Sequence, residues 1–124
     1  MRAIVFLPLM FLLLACHLAS PATAHYLTVV NDAPRRILSI HAAEPGGVEW
    51  SLIALPEDGL RGGVAEVLVV PGTSGCRRDL RIDFVGAWRL VVRNFDICRW
   101  HTLRAGTALR LGHAQQALNG APGE

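Results

Sequence analysis

The chain has 124 residues, 52% of them hydrophobic and 6% aromatic, and its twelve basic side chains, all arginine, stand against ten acidic ones. That length bounds it to one small domain, and arginines scattered among acids exclude the one-sided basic footprint of a nucleic-acid binder.

Arg2 and the apolar run Ala3 to Cys16 (AIVFLPLMFLLLAC) read as the charged start and hydrophobic centre of a secretory signal peptide. His17, Ser20 and Pro21 interrupt the run before it reaches the about 20 apolar residues of a membrane-spanning helix, so no stable span is expected. Ala22-Thr23-Ala24 has the small-x-small pattern of a signal-peptidase site; residues 1–24 are expected to be removed, leaving His25 first. An alternative is Leu13-Leu14-Ala15-Cys16, which resembles a bacterial lipobox and would leave Cys16 lipidated. Removal of residues 1–24 from the 124 leaves 100, placed in the periplasm or outside the cell. A domain of that size buries proportionally little surface and profits from a covalent staple. Cys76 and Cys98 are an even pair in an exported chain and read as a disulfide.

Beyond the leader, short β-rich segments alternate with Gly, Pro and Asp turns. Strands are predicted over His25–Val30, Ile37–Ala43, Val64–Val70, Leu80–Phe84 and Trp88–Val92. Between them lie Asn31-Asp32-Ala33-Pro34, Pro45-Gly46-Gly47, Pro56-Glu57-Asp58-Gly59, Pro71-Gly72-Thr73 and Gly86, all turn formers. Val48 to Leu55 (VEWSLIAL) suits either a buried strand or a helical turn. The pattern implies an all-β domain over 25–105, a small antiparallel β-sandwich or partly open barrel with one disulfide. From Gly106 the chain turns to Ala, Gly and Gln, and 106–124 is expected to be a loosely ordered tail.

The two predicted strands between the cysteines permit a register to be proposed. Pairing Phe84 with Leu90 and Ile82 with Val92 sets Cys76 opposite Cys98 on the same face. Directly opposed β-carbons lie about 4.5–5.5 Å apart, a little wide for a disulfide, so the open end must pinch or bulge. The other face then carries Asp79, Arg81, Asp83, Arg89 and Arg93, with Arg81 opposite Arg93, and reads as a solvated sheet face.

Asn31 after a short strand, Ile37 to Ile40, Ala43 with Pro45 and Gly46, Trp50, Cys76-Arg77-Arg78-Asp79-Leu80-Arg81, Phe84, Gly86 and Asn94-Phe95-Asp96-Ile97-Cys98 form a pattern. It resembles a family of small exported bacterial proteins of unknown function that share a Cys-x-x-Asp-Leu-Arg segment and a closing Asp-x-Cys. The likeness spans most of residues 26–98 and implies the same leader, β fold and disulfide, without adding an activity. Arg78 and His41 stand where aromatics are common in that family, so an aromatic ligand site does not carry over.

Candidate chemistry is sparse. A mature N-terminal His25 could bind copper through its amine and ring, with His41, His101 or His113 as further ligands. Ser39, Ser51 and Ser74 lie in no nucleophile motif, and Glu57-Asp58 belongs to a turn. Of the tryptophans, Trp88 is expected in the core and Trp50 half-buried. Arg77, Arg78 and Arg99 place three cations near the disulfide, where they could greet an acidic partner. The expected function is that of a non-enzymatic exported binding module with a protein or small-molecule partner and no cofactor; the alternative is a copper-binding protein using His25.

Overall fold

Period-2 burial runs through the strands: Leu27 and Val29 of β1 (His25–Val30) are buried while Tyr26 is exposed, and Leu68 and Val70 of β4 (Ala65–Val70) alternate with exposed Val67 and Val69. The computed structural model describes residues 24–72 and 75–118, with side chains through Gly112. Residues 1–23 of the expected leader, Cys16 among them, Thr73 and Ser74, the His113 side chain and residues 119–124 lie outside the described residues. Among those described are seven strands and one helix: β1, β2 (Ile37–Ala43), β3 (Ser51–Ile53), β4, β5 (Arg77–Phe84), β6 (Trp88–Asp96), β7 (Thr102–Arg104) and α1 (Ala105–Leu118). The ambiguous segment at 48–55 thus resolves into a short strand.

The strands form two sheets, ordered β4-β1-β7 and β3-β2-β5-β6. Their inner faces share one core. Leu27, Val29, Leu68, Val70 and Leu103 of the first sheet meet Ile37, Ile40, Ile53, Leu80, Ile82, Phe84 and Leu90 of the second in a single buried cluster. This is the predicted small β-sandwich, with one departure: β7 runs parallel to β1, pairing Thr28 with Thr102 and Val30 with Arg104. A parallel neighbour needs a long crossover, here the entire second sheet.

The β5–β6 hairpin keeps the predicted faces but corrects the register by a two-residue slide. Phe84 pairs with Trp88, Ile82 with Leu90 and Leu80 with Val92, because the loop is only Val85-Gly86-Ala87, with Gly86 (φ 87°) and Ala87 (φ 61°) both left-handed. Sliding by two leaves every side chain on its side of the sheet. A bulge between Arg78 and Leu80 then shifts the pairing so that Arg77 meets Asp96, and Cys76 and Cys98 join beyond the paired residues with Cα atoms 5.4 Å apart. The expected staple and the expected irregularity at the open end are therefore both present.

The slide also changes the outer ladder. Arg81 faces Val91 rather than Arg93, Asp83 faces Arg89 directly with Nε–Oδ1 at 2.6 Å, and Arg93 pairs with Asp79 at 3.0 Å. Asp79 is not solvated: it is buried at the bulge, where its carboxylate accepts hydrogen bonds from the backbone N–H groups of Asn94 (2.8 Å) and Gly46 (2.9 Å). Trp88 is a second correction. As the cross-strand partner of Phe84 at the hairpin tip, it overruns the core and stays 39% exposed, its ring covered by the Arg35 guanidinium at 4.5 Å. Trp50 is half-buried, as expected.

Two polar side chains set the turns. Asn31 is wholly buried and closes the loop after β1: its Nδ2 donates to the carbonyls of Arg35 and Leu60, and its Oδ1 accepts from Ala33 N. Gly59, at φ +74°, is required beside it, since a β-carbon there would lie 2.2 Å from the Ile37 carbonyl that accepts from Leu60 N.

Residues 105–118 form a helix where a loose tail was expected. The cap comes from far along the chain: Asp32 accepts hydrogen bonds from Gly106 N, Thr107 N and the Thr107 hydroxyl, and Arg110 lies 3.6 Å from it. Burial pushes the Asp32 carboxyl up, but the bonds from the Thr107 hydroxyl and the Gly106 and Thr107 amides outweigh this and hold it below the ordinary carboxylate value. Asp32→Ala should cost about 1–2 kcal/mol and fray α1. Faster amide exchange at Gly106 and Thr107, with β1 and β4 amides unchanged, is the check.

Candidate functional site

The two sheets differ in how charge and apolar surface are mixed on their outer faces. On the four-stranded sheet, the outer ladder carries Ser39, His41, Arg81, Asp83, Arg89 and Arg93 together with exposed Leu52 and Val91, and its acids are engaged by arginines and by the Ser39 hydroxyl. On the three-stranded sheet the apolar side chains of β1 and β4 lie together, with Thr102 and Arg104 of β7 beside them. Tyr26 pairs with Val69 and Thr28 with Val67, so the outward positions of β1 and β4 set Tyr26 (57% exposed), Val69 (56%) and Val67 (60%) side by side. Thr28 lies among them and Trp100, two residues before β7, is exposed. Contiguous apolar side chains on a folded surface mark interaction sites more often than isolated ones do.

A cleft of about 390 Å3 opens at one end of the sandwich between the β2–β3 connection (Glu44, Gly47, Val48, Glu49) and Pro71-Gly72. Arg78 lies against it, yet contrary to the expected cationic cluster at the disulfide this arginine is buried and turned away from Arg77 and Arg99. Its Nε donates to Pro71 O (3.3 Å) and its Nη1 to the carbonyls of Gly75 (3.2 Å) and Arg77 (2.8 Å), with Glu44 at 3.8 Å. Gly72 at φ +98° passes so near that a β-carbon there would sit 2.9 Å from the guanidinium. Arg78 thus ties the 71–75 connection onto β5. Asp79, next in sequence, ties down the opposite wall through Gly46 N. The adjacent Arg-Asp pair of the Cys-x-x-Asp-Leu-Arg segment therefore shapes both lips of the cleft.

The candidate copper ligands fall in different places. His25 opens β1, His41 lies on β2 of the other sheet opposite Arg81 and Leu52, and His101 precedes β7, where its carbonyl accepts from Thr28 N. Among the described residues these three histidines do not meet in one ligand-sized group; the group of that size is Cys76, Asp96 and Cys98. His41 Nδ1 is buried without a hydrogen-bond partner, as is the Nε of Arg81, whose guanidinium stacks on Trp50 at 4.8 Å. His25 instead faces the disulfide, with Nδ1 4.0 Å from Cys98 Sγ. Ser39 is engaged with Asp83, and the Glu57-Asp58 segment forms the expected turn, closed by Gly59 N donating to Pro56 O.

The apolar outer face could not have been located from strand patterns alone. HYLTVV carries apolar residues on both faces, Tyr26 and Val30 on one and Leu27 and Val29 on the other, and does not declare which side faces the core; only the pairing with β4 places Tyr26 beside Val69. The Asp79 hub escaped for a related reason: its partners are remote from it in sequence, Gly46 in the turn after β2 and Asn94 in β6. Comparison with protein-family models, with curated proteins and with solved structures finds no match to this chain.

Proposed function

We propose that this chain is an exported binding module that acts by docking the outer face of its three-stranded sheet onto a partner protein. The observation that carries the reading is the apolar surface made by Tyr26, Val67 and Val69, neighbours across one strand pair and each more than half exposed, whereas on the other sheet exposed Leu52 and Val91 stand among the Asp83–Arg89 and Asp79–Arg93 ion pairs. Aromatic and aliphatic side chains grouped in this way supply binding energy once desolvated, and a rigid sheet holds them in place before contact. Export rests on the leader sequence, and the Cys76–Cys98 bond is compatible with an oxidising compartment.

The test is a photo-reactive side chain at position 69 in the producing cell, with the same group at Arg89 on the charged sheet as control. A discrete adduct from position 69 only, lost in Val67→Glu, Tyr26→Ser double variants, supports the reading. Such surface changes should alter stability by no more than about 0.5 kcal/mol each. Equal labelling from both faces would remove the proposal, and recovery of the chain only from the cytosol, with residues 1–24 still attached, would remove its export component.

A further inference from the structure

The disulfide end of the β5–β6 hairpin carries more than two sulfurs. Ligand atoms of Cys76, Asp96 and Cys98 all lie within 4.8 Å of one another, and His25 Nδ1 is 4.0 Å from Cys98 Sγ. Two sulfurs, one imidazole nitrogen and one carboxylate oxygen are the donor types that zinc takes in four-coordinate sites. We propose that the reduced form of this chain holds a zinc-class divalent cation between Cys76 Sγ, Cys98 Sγ, His25 Nδ1 and the Asp96 carboxylate, so that the disulfide is the closed state of a redox-gated metal site.

Backbone hydrogen bonds add to the S–S bond in holding this arrangement together. Ile97 N donates to Cys76 O (2.9 Å), Ile97 is itself buried, and Trp100 N donates to Asp96 O (2.8 Å). Asp96 Oδ1 accepts from the N–H groups of Cys98 and Arg99, each at 3.1 Å, which fixes the carboxylate against the cysteine it would share a metal with. Such outer hydrogen bonds orient metal-binding carboxylates. Arg77 Nη2, 3.9 Å from Asp96 Oδ2, supplies positive charge beside a site in which two thiolates and a carboxylate exceed the charge of a divalent ion by one. Zinc–sulfur bonds of about 2.3 Å require the sulfurs to part from their bonded separation, which rotation of two side chains on a fixed frame permits.

The chemistry balances with a dithiol as reductant. The disulfide takes up two electrons and two protons to give two thiols, while the dithiol is oxidised to its cyclic disulfide; metal binding then releases one proton from each cysteine. The inference is independent of the sheet-face reading.

Cobalt(II) and zinc titrations of the purified protein, oxidised and after phosphine reduction, test it. The expected result is one metal per reduced chain, with the thiolate-to-cobalt charge transfer and intense visible bands of a tetrahedral site, and no such spectrum for the oxidised chain. His25→Ala and Asp96→Asn should each weaken zinc by about tenfold or more. Should reduction alone loosen the fold, near-ultraviolet circular dichroism provides the second readout: zinc restores the tryptophan signal in the reduced parent and fails to in His25→Ala. Absence of a tetrahedral cobalt spectrum, equal binding by the oxidised chain, or an affinity indifferent to His25 and Asp96 would each overturn the proposal.

Discussion

Asp79→Ala is expected to lower the unfolding free energy by about 3–5 kcal/mol, more than most single surface or turn changes, because it orphans donors that folding has already taken out of water. The carboxylate is buried and accepts from Asn94 N, Gly46 N and the Arg93 guanidinium. Arg93 returns to solvent at little cost, whereas the two amides are held in place by the bulge and by the turn at Gly46. Urea denaturation of parent and variant measures the difference.

The same hydrogen bonds govern acid stability. The Asn94 amide first, then the Gly46 amide, hold the Asp79 carboxyl below its ordinary value of 3.8, overcoming burial, with Arg93 adding to them. A folded-state pKa below the unfolded one means that the unfolded chain binds more protons in the acid range. The Asp79 contribution is therefore complete above the ordinary carboxylate pKa and disappears as pH falls through the depressed one. Asp83, lowered mainly by its hydrogen bond from Arg89, and Asp32 act in the same direction. Stability should decline below about pH 4, and Asp79→Asn should flatten that decline while lowering the neutral plateau. An unchanged acid limb in Asp79→Asn would contradict this assignment.

Replacing both cysteines, Cys76→Ala with Cys98→Ala, is expected to cost about 3 kcal/mol, chiefly by freeing the unfolded chain from a closed loop. The loop spans 22 residues, and the bond joins strands that already pair along their length. Loss should thus appear first as fraying at Arg77 and Asp96, with the Phe84–Trp88 end still protected from amide exchange. Uniform loss of protection along β5 and β6 would show that the staple, rather than the apolar stripe, nucleates the hairpin.

How far the fold is legible in the chain depends on where each element finds its partners. Ile37–Ala43 and His25–Val30 are readable because turn residues punctuate them, and the hairpin faces follow from alternation alone. The register is not, since alternation is indifferent to a slide of two and only the left-handed pair Gly86-Ala87 fixes it. β7 is three residues long and α1 begins Ala-Gly-Thr, with no capping side chain next to it; its cap, Asp32, lies 74 residues away from Gly106. Arg78 looks like a surface cation because Arg77 precedes it, yet the bulge turns it inward. Of the candidate sites, the disulfide is readable from cysteine count, whereas the closeness of His25 to Cys98 depends on two sheets meeting at one rim.

The position of β1 has a bearing on how the polypeptide acquires its shape. The first of the described strands lies in the middle of its sheet, and its partner on one side, Thr102–Arg104, is the last of them in chain order. Such distant pairing makes for slow acquisition of structure. Until Thr102–Arg104 is available, β1 can pair with β4 alone, so one flank of the three-stranded sheet stays open while the four-stranded sheet is already able to close.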